Sequence, residues 1–137
     1  MTKIILLLVI MSGLFASAPI LNLNGIYLYD AKEVLNYSSL KDTRKIILIF
    51  SSQKCSHCVT FKNQLAMLDA KTKQYLDSKF IFALVEDDTQ MLQMFKVTST
   101  PTTFVMTQNK KFVVAPLVGE PKDINEFINY LIRVGEI

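Results

Sequence analysis

The sequence predicts an α/β domain, a mixed central sheet of about four to five strands flanked by helices on both faces. Three observations carry this. Two short, unbroken apolar runs, residues 46–50 and 80–85, are rich in β-branched and aromatic side chains, as strands covered on both faces are. Two other stretches repeat apolar residues at helical spacing: Phe61, Leu65 and Leu68 after the first run, and Ile124, Phe127, Ile128, Leu131 and Ile132 near the end. Finally, Asn109, Lys110 and Lys111 separate residues 102–106 from 112–115 and predict an antiparallel hairpin. The order β, α, β, α, β, β, α thus joins a parallel unit to a hairpin.

The length of 137 residues, half of them hydrophobic, suits one domain with a real core. Its first segment reads differently. Lys3 precedes the apolar residues 4–11, and Ala16, Ser17 and Ala18 are small, the layout of a secretory signal; this sets residues 1–18 apart from a domain over 19–137. Pro19 would follow the cut directly, where proline suits a peptidase poorly. No charge falls between Lys3 and Asp30, so a retained membrane anchor through residues 4–21 fits as well. A third reading makes the segment a buried core element. Both export readings put the domain outside the cytoplasm, in a periplasm or tethered to a membrane, where a reactive cysteine pair is maintained by partners.

Residues 22–29, punctuated by Gly25, predict a short edge strand or an irregular lead-in. Asp30 stands as N-cap of the next helix, with Glu33 in the capping-box position and Val34, Leu35, Tyr37 and Leu40 as its buried face. Residues 41–45 form a solvated charged connection. The helix after the central strand runs to about Asp77, with a bend or break near 69–71. Glu86, Asp87 and Asp88 close the second strand as a solvated turn rather than a metal site. In residues 89–95, Met91 and Met94 are read as core filling on a short amphipathic helix, not as copper ligands.

The chemistry is concentrated between the first strand and its helix, where Cys55, Ser56, His57 and Cys58 occupy the junction. The first amides of a helix lack internal partners and its dipole points positive there, which favours thiolate over thiol at Cys55. The spacing lets the pair close a small disulfide and lets Cys58 attack a mixed disulfide formed on Cys55. Thiol–disulfide exchange is the chemistry suggested. The imidazole of His57 would further favour the thiolate and make the pair more oxidising. Two plainer readings stay open: a structural disulfide, or two inert buried thiols. A structural zinc site needs about four ligands, whereas the chain has two cysteines and one histidine. The formal charge of +3 is spread along the chain without a basic, aromatic-laced cluster, so nucleic acid is not an expected partner.

From about Asp30 onward the chain resembles the thioredoxin superfamily. The resemblance rests on Cys55-Ser56-His57-Cys58 at a helix start and on Thr100-Pro101 before a later strand, followed by the turn at Asn109-Lys110 and by Gly119. It is most similar to exported bacterial thioredoxin-like proteins, sulfur-oxidation-associated or Dsb-like. The resemblance implies a thioredoxin-like fold and a thiol–disulfide oxidoreductase whose only redox group is the Cys55–Cys58 disulfide, with no metal or other cofactor. It further implies Cys55 as attacking thiol, Cys58 as resolving thiol, Pro101 as a cis proline against the pair, and Thr100 in contact with substrate. Protein thiols and disulfides would be the substrates, with a membrane or soluble electron donor or acceptor as partner. Departures from the pattern are Lys54 in place of a tryptophan, Ile49 in place of a buried aspartate, no lysine around Ala83, and Ser56-His57 in place of Gly-Pro; the histidine is similar to that of oxidising Dsb-type proteins. A reductase is favoured over an oxidase, because the chain has no inserted helical domain to clasp unfolded substrates. The competing class is a redox-inactive thioredoxin-fold module for binding or metal handling.

Overall fold

A computed structural model describes residues 17–37 and 42–136. The signal or anchor reading through residue 16, and Leu40 as part of a buried helix face, lie outside the described residues. The chain first makes a hairpin: β1 (Leu21–Leu23) pairs antiparallel with β2 (Ile26–Asp30), Leu23 facing Ile26. Asn24 and Gly25 turn it with φ of 51° and 112°, the left-handed backbone that an Asn-Gly pair adopts in two-residue hairpin loops. Two strands therefore stand where a single edge strand or lead-in was expected.

α1 (Ala31–Asn36) follows, with the Asp30 carboxylate accepting the Glu33 amide at 3.3 Å. Then come β3 (Lys45–Ser51), α2 (Ser56–Ala66), α3 (Ala70–Lys79), β4 (Phe80–Glu86), α4 (Thr89–Met94), β5 (Thr102–Met106), β6 (Leu117–Val118) and α5 (Ile124–Gly135). The six-stranded sheet has the order β1-β2-β4-β3-β5-β6. Strands β2, β4 and β3 run parallel, β5 pairs antiparallel with β3, and β6 pairs antiparallel with β5.

The two central strands are buried on both faces, which is why they read as unbroken apolar runs. On one face Ile47, Ile49, Phe82, Leu84 and Val105 meet Phe61 and Leu65 of α2, Leu76 of α3, and Phe127, Ile128 and Leu131 of α5. On the other, Ile46, Leu48, Phe50, Ala83 and Phe104 meet Val34 of α1 and Met91 of α4. Each fully buried Leu, Ile or Phe is worth about 1.5–3 kcal/mol. Together they fix where β3 ends and α2 begins. Ile49 packs in this apolar layer opposite Leu84, with no charge at that position.

Four local expectations are corrected or sharpened. The break after α2 falls at 67–69, where Asp69 caps α3 by accepting the Thr72 amide at 2.7 Å. Residues 112–115 do not form a regular strand. Met106 and Phe112 make an isolated bridge, the Val113 amide donates to the Val105 carbonyl at 2.9 Å, and pairing resumes only where Leu117 faces Thr103. Pro116 has no amide to contribute to a ladder, so the chain buckles before it. In the charged connection Asp42 is buried rather than solvated, held by the Arg44 guanidinium at 2.9 and 3.1 Å. Of the two methionines in α4, Met91 fills the core and Met94 faces solvent.

Lys73 of α3 is buried, and its Nζ donates to the carbonyls of Asn24 at 2.7 Å and Ala66 at 2.6 Å. It thereby ties the β1–β2 turn to the C-terminal carbonyls of α2, where a cation also suits the dipole. Replacing Lys73 with Met keeps the apolar stem and strands both carbonyls. The urea unfolding midpoint is expected to fall by the equivalent of about 1–3 kcal/mol. An unchanged midpoint would show that water replaces the ammonium without loss.

Candidate active site

β3 and β4 end side by side, Ser51 opposite Glu86, and the loop that carries the cysteines is fastened there. Asp87, with φ of 53°, donates its amide to the Ser51 carbonyl at 3.1 Å and accepts the Gln53 amide on Oδ2 at 3.0 Å. The Ser52 hydroxyl first, and the Gln53 amide next, hold the Asp87 carboxyl below its ordinary range. Within the loop the Lys54 amide donates to Ser52 Oγ at 3.3 Å and the Cys55 amide to the Ser52 carbonyl at 3.2 Å. The neighbouring acids are also engaged. Glu86 pairs with Lys62 of α2 at 2.6 Å; Asp88 caps α4 through the Met91 amide at 3.1 Å and pairs with Lys32 at 3.3 Å. Each member of this acidic run has its own structural partner.

Cys55 is the N-cap of α2. Its backbone is extended (φ −99°, ψ 109°), and its Sγ accepts the Cys58 amide at 3.1 Å. A helix start thus presents an otherwise unpaired N–H to this sulfur, where serine or aspartate would offer oxygen. The two cysteines form a disulfide across the first turn, Cα to Cα 5.2 Å. Their environments differ: Cys58 is buried at 1% exposure beneath the helix, whereas Cys55 is half-buried at its rim. Among the described residues no group of three or more His, Cys, Asp or Glu is arranged to hold a metal ion.

A second segment meets the pair from β5. The Thr100–Pro101 peptide is cis and Pro101 is buried. The Thr100 carbonyl oxygen lies 3.3 Å from Cys55 Sγ. The Thr102 hydroxyl donates to the Ser99 carbonyl at 2.7 Å and steadies the turn. A third segment closes the ring: Gly119, with φ of 89°, donates its amide to the Pro101 carbonyl at 2.7 Å, and Glu120 reaches His57, Oε1 to Nδ1, at 2.5 Å. Val59 and Val118 are exposed beside these segments, at 49% and 70%. Cys55, His57, Cys58, Thr100 and Pro101 are therefore gathered in one place from two segments far apart in the chain.

A family model described as the thioredoxin-like domain matches residues 32–134, which include both segments. The chain belongs to the thioredoxin-like domain family. With its cysteine pair at the head of α2 it is a thiol–disulfide oxidoreductase of the thioredoxin-like kind. It is similar to a thioredoxin-fold protein from Helicobacter pylori, at 20% identity and a TM-score of 0.65, over 84% of this chain and 80% of that one. The DsbH oxidoreductase is similar at 16% identity and a TM-score of 0.64, over 82% and 85% of the two chains. Thioredoxin from Trypanosoma brucei brucei follows at 14% identity and a TM-score of 0.55, over 72% and 80%. At these identities the likeness concerns the fold. A search of curated proteins finds no match.

Sequence reasoning missed Asp87 as the anchor of this thioredoxin-like domain's cysteine loop, and Glu120 as the partner of His57. Asp87 had a signal, its place in an acidic run just after a buried strand; Glu120 lies 63 residues from His57 with nothing local to announce the contact. A carboxyl held low contributes stability above the ordinary aspartate value of about 3.9, and that contribution is lost as pH falls through the lower folded value. The difference in urea midpoint between wild type and Asp87→Ala is therefore expected to be constant above about pH 5 and to shrink below about pH 4. A difference undiminished at strongly acidic pH would show that the carboxylate is not what fastens the loop.

Proposed function

We propose that this domain works outside the cytoplasm, reducing disulfides in protein substrates by attack of Cys55 and resolution by Cys58. The observation that carries the reading is the asymmetry of the pair. Cys55 sits at the rim with an amide aimed at its sulfur, while Cys58 is shielded directly beneath it. A thiolate at Cys55 attacks one sulfur of a substrate disulfide, forming a mixed disulfide and releasing the other substrate sulfur as thiolate. Cys58, deprotonated, then attacks Cys55 Sγ; the second substrate sulfur leaves, and the Cys55–Cys58 disulfide carries away the two electrons' worth of oxidation. Thr100, whose carbonyl lies 3.3 Å from Cys55 Sγ, and Pro101 beside it are assigned to substrate contact. The signal-like composition of residues 1–18 supports export, and a membrane or soluble donor would return the pair to the dithiol.

Reduction is favoured over oxidation because, among the described residues, no helical lobe is added beyond the sheet and its flanking helices. In glutathione buffers the pair is expected near the roughly −270 mV of thioredoxin rather than the roughly −120 mV of the strong Dsb oxidant. Replacing Cys55 with Ser is expected to abolish reduction of a protein disulfide such as that of insulin. Replacing Cys58 with Ser should instead accumulate a mixed disulfide on Cys55, visible on a non-reducing gel. A Cys55→Ser variant that still reduces the substrate would refute the assignment. A Cys55→Ser variant that keeps a native partner, from a wild type that forms no reversible disulfide, would favour the binding-module reading.

A further inference from the structure

His57 is the chain's one histidine, and it lies within the first turn of α2 between the two cysteines. Its ring is 70% exposed, yet it is not left to solvent: Nδ1 meets Glu120 Oε1 at 2.5 Å. The carboxylate is delivered by a constrained piece of chain. On one side the Gly119 amide is bonded to the Pro101 carbonyl at 2.7 Å; on the other Pro121 follows directly, which holds the residue before it to extended backbone. The side chain of Glu120 is itself only 26% exposed. The contact therefore links the cysteine segment to the segment of Gly119, which is itself bonded to the cis-peptide turn.

We propose that Glu120 is a positioning residue that holds the His57 ring and compensates its charge, making the Cys55–Cys58 dithiol a better reductant than the histidine alone would allow. The inference rests on the reading that this pair cycles between dithiol and disulfide. The disulfide has no charge at sulfur, whereas the dithiol presents a thiolate at Cys55. An uncompensated imidazolium beside that thiolate stabilises the reduced form and raises the potential. With Glu120 bonded to the ring, its carboxylate offsets any positive charge the ring brings to the site. Because the ring is largely exposed, solvent screens the interaction and the effect is modest. Lys54, next to Cys55 in the chain, and Asp87, bonded to Gln53, are the other charges of the cysteine loop, and neither touches this pair.

The test is a double-mutant cycle on the full domain: wild type, Glu120→Gln, His57→Gln and the double variant, each equilibrated in graded glutathione buffers and scored by alkylation of free thiols. Glu120→Gln is expected to move the equilibrium toward the dithiol by about three- to five-fold, about 15–20 mV at 29.6 mV per tenfold. In the His57→Gln background the same change should move it by less than about 1.5-fold, since the effect runs through the ring. In the oxidised protein the imidazole ¹⁵N signals of His57 should shift with Glu120→Gln and return with Glu120→Asp. An equilibrium unmoved by Glu120→Gln, one moved toward the disulfide, or an equal shift with and without His57 would overturn the proposal. A wild type that cycles normally while Glu120→Gln stays unshifted sinks this inference alone. A wild type that forms no reversible disulfide sinks the exchange reading and this inference together.

Discussion

The structure depends on one interaction, the amide of Cys58 directed at the sulfur of Cys55 across 3.1 Å. A helix must begin somewhere, and its first amides are unsatisfied wherever that is. Here the capping group is a sulfur, so in the proposed exchange an ordinary need of helix geometry would serve to stabilise the Cys55 thiolate. The same start gives the two cysteines unequal exposure. Phe61 and Leu65, on the face of α2 that meets the sheet, are buried in the core, and they fix the rotation of the helix that puts Cys58 inward and His57 outward.

What holds that helix start in place is the end of the parallel pair β3 and β4. Parallel strands bring their C-terminal ends together, and the loops leaving them are natural positions for a site. Asp87 uses this proximity to fasten the loop before Cys55. From the opposite side the antiparallel strands β5 and β6 deliver the Thr100 carbonyl and the Gly119 amide. The buckle before Pro116 matters for function in this sense. It places the short β6 opposite the first residues of β5, so that Gly119 and Glu120 come to the cysteine pair rather than to the far end of the sheet.

How much of this was legible in the chain follows from where burial leaves a local mark. Strands β3 and β4 are covered on both faces and α5 on one, so composition and period give them away. The cysteine pair was legible for the same reason, because a strand pattern gives way to a helix pattern around it. The β1–β2 hairpin was legible too, in Asn24-Gly25, and went unread. Other features leave no local mark. Asp42 lies in a charged stretch and is buried by its ion pair with Arg44. The irregular return over 112–116 has the composition of a strand, and only Pro116 hints otherwise. The Glu120–His57 contact depends on the whole sheet topology, which no window of sequence contains.

The most direct measurement is the pH dependence of Cys55 alkylation in the reduced protein, followed on the peptide that contains it. If the helix start stabilises the thiolate, reactivity rises with a midpoint well below the ordinary cysteine value of about 8.5, within the range of about 3.5–7.5 seen where cysteines sit at helix N-termini. Cys58 stays unreactive over the same range. A midpoint for Cys55 at or above about 8.5, or equal reactivity of the two thiols, would contradict the account.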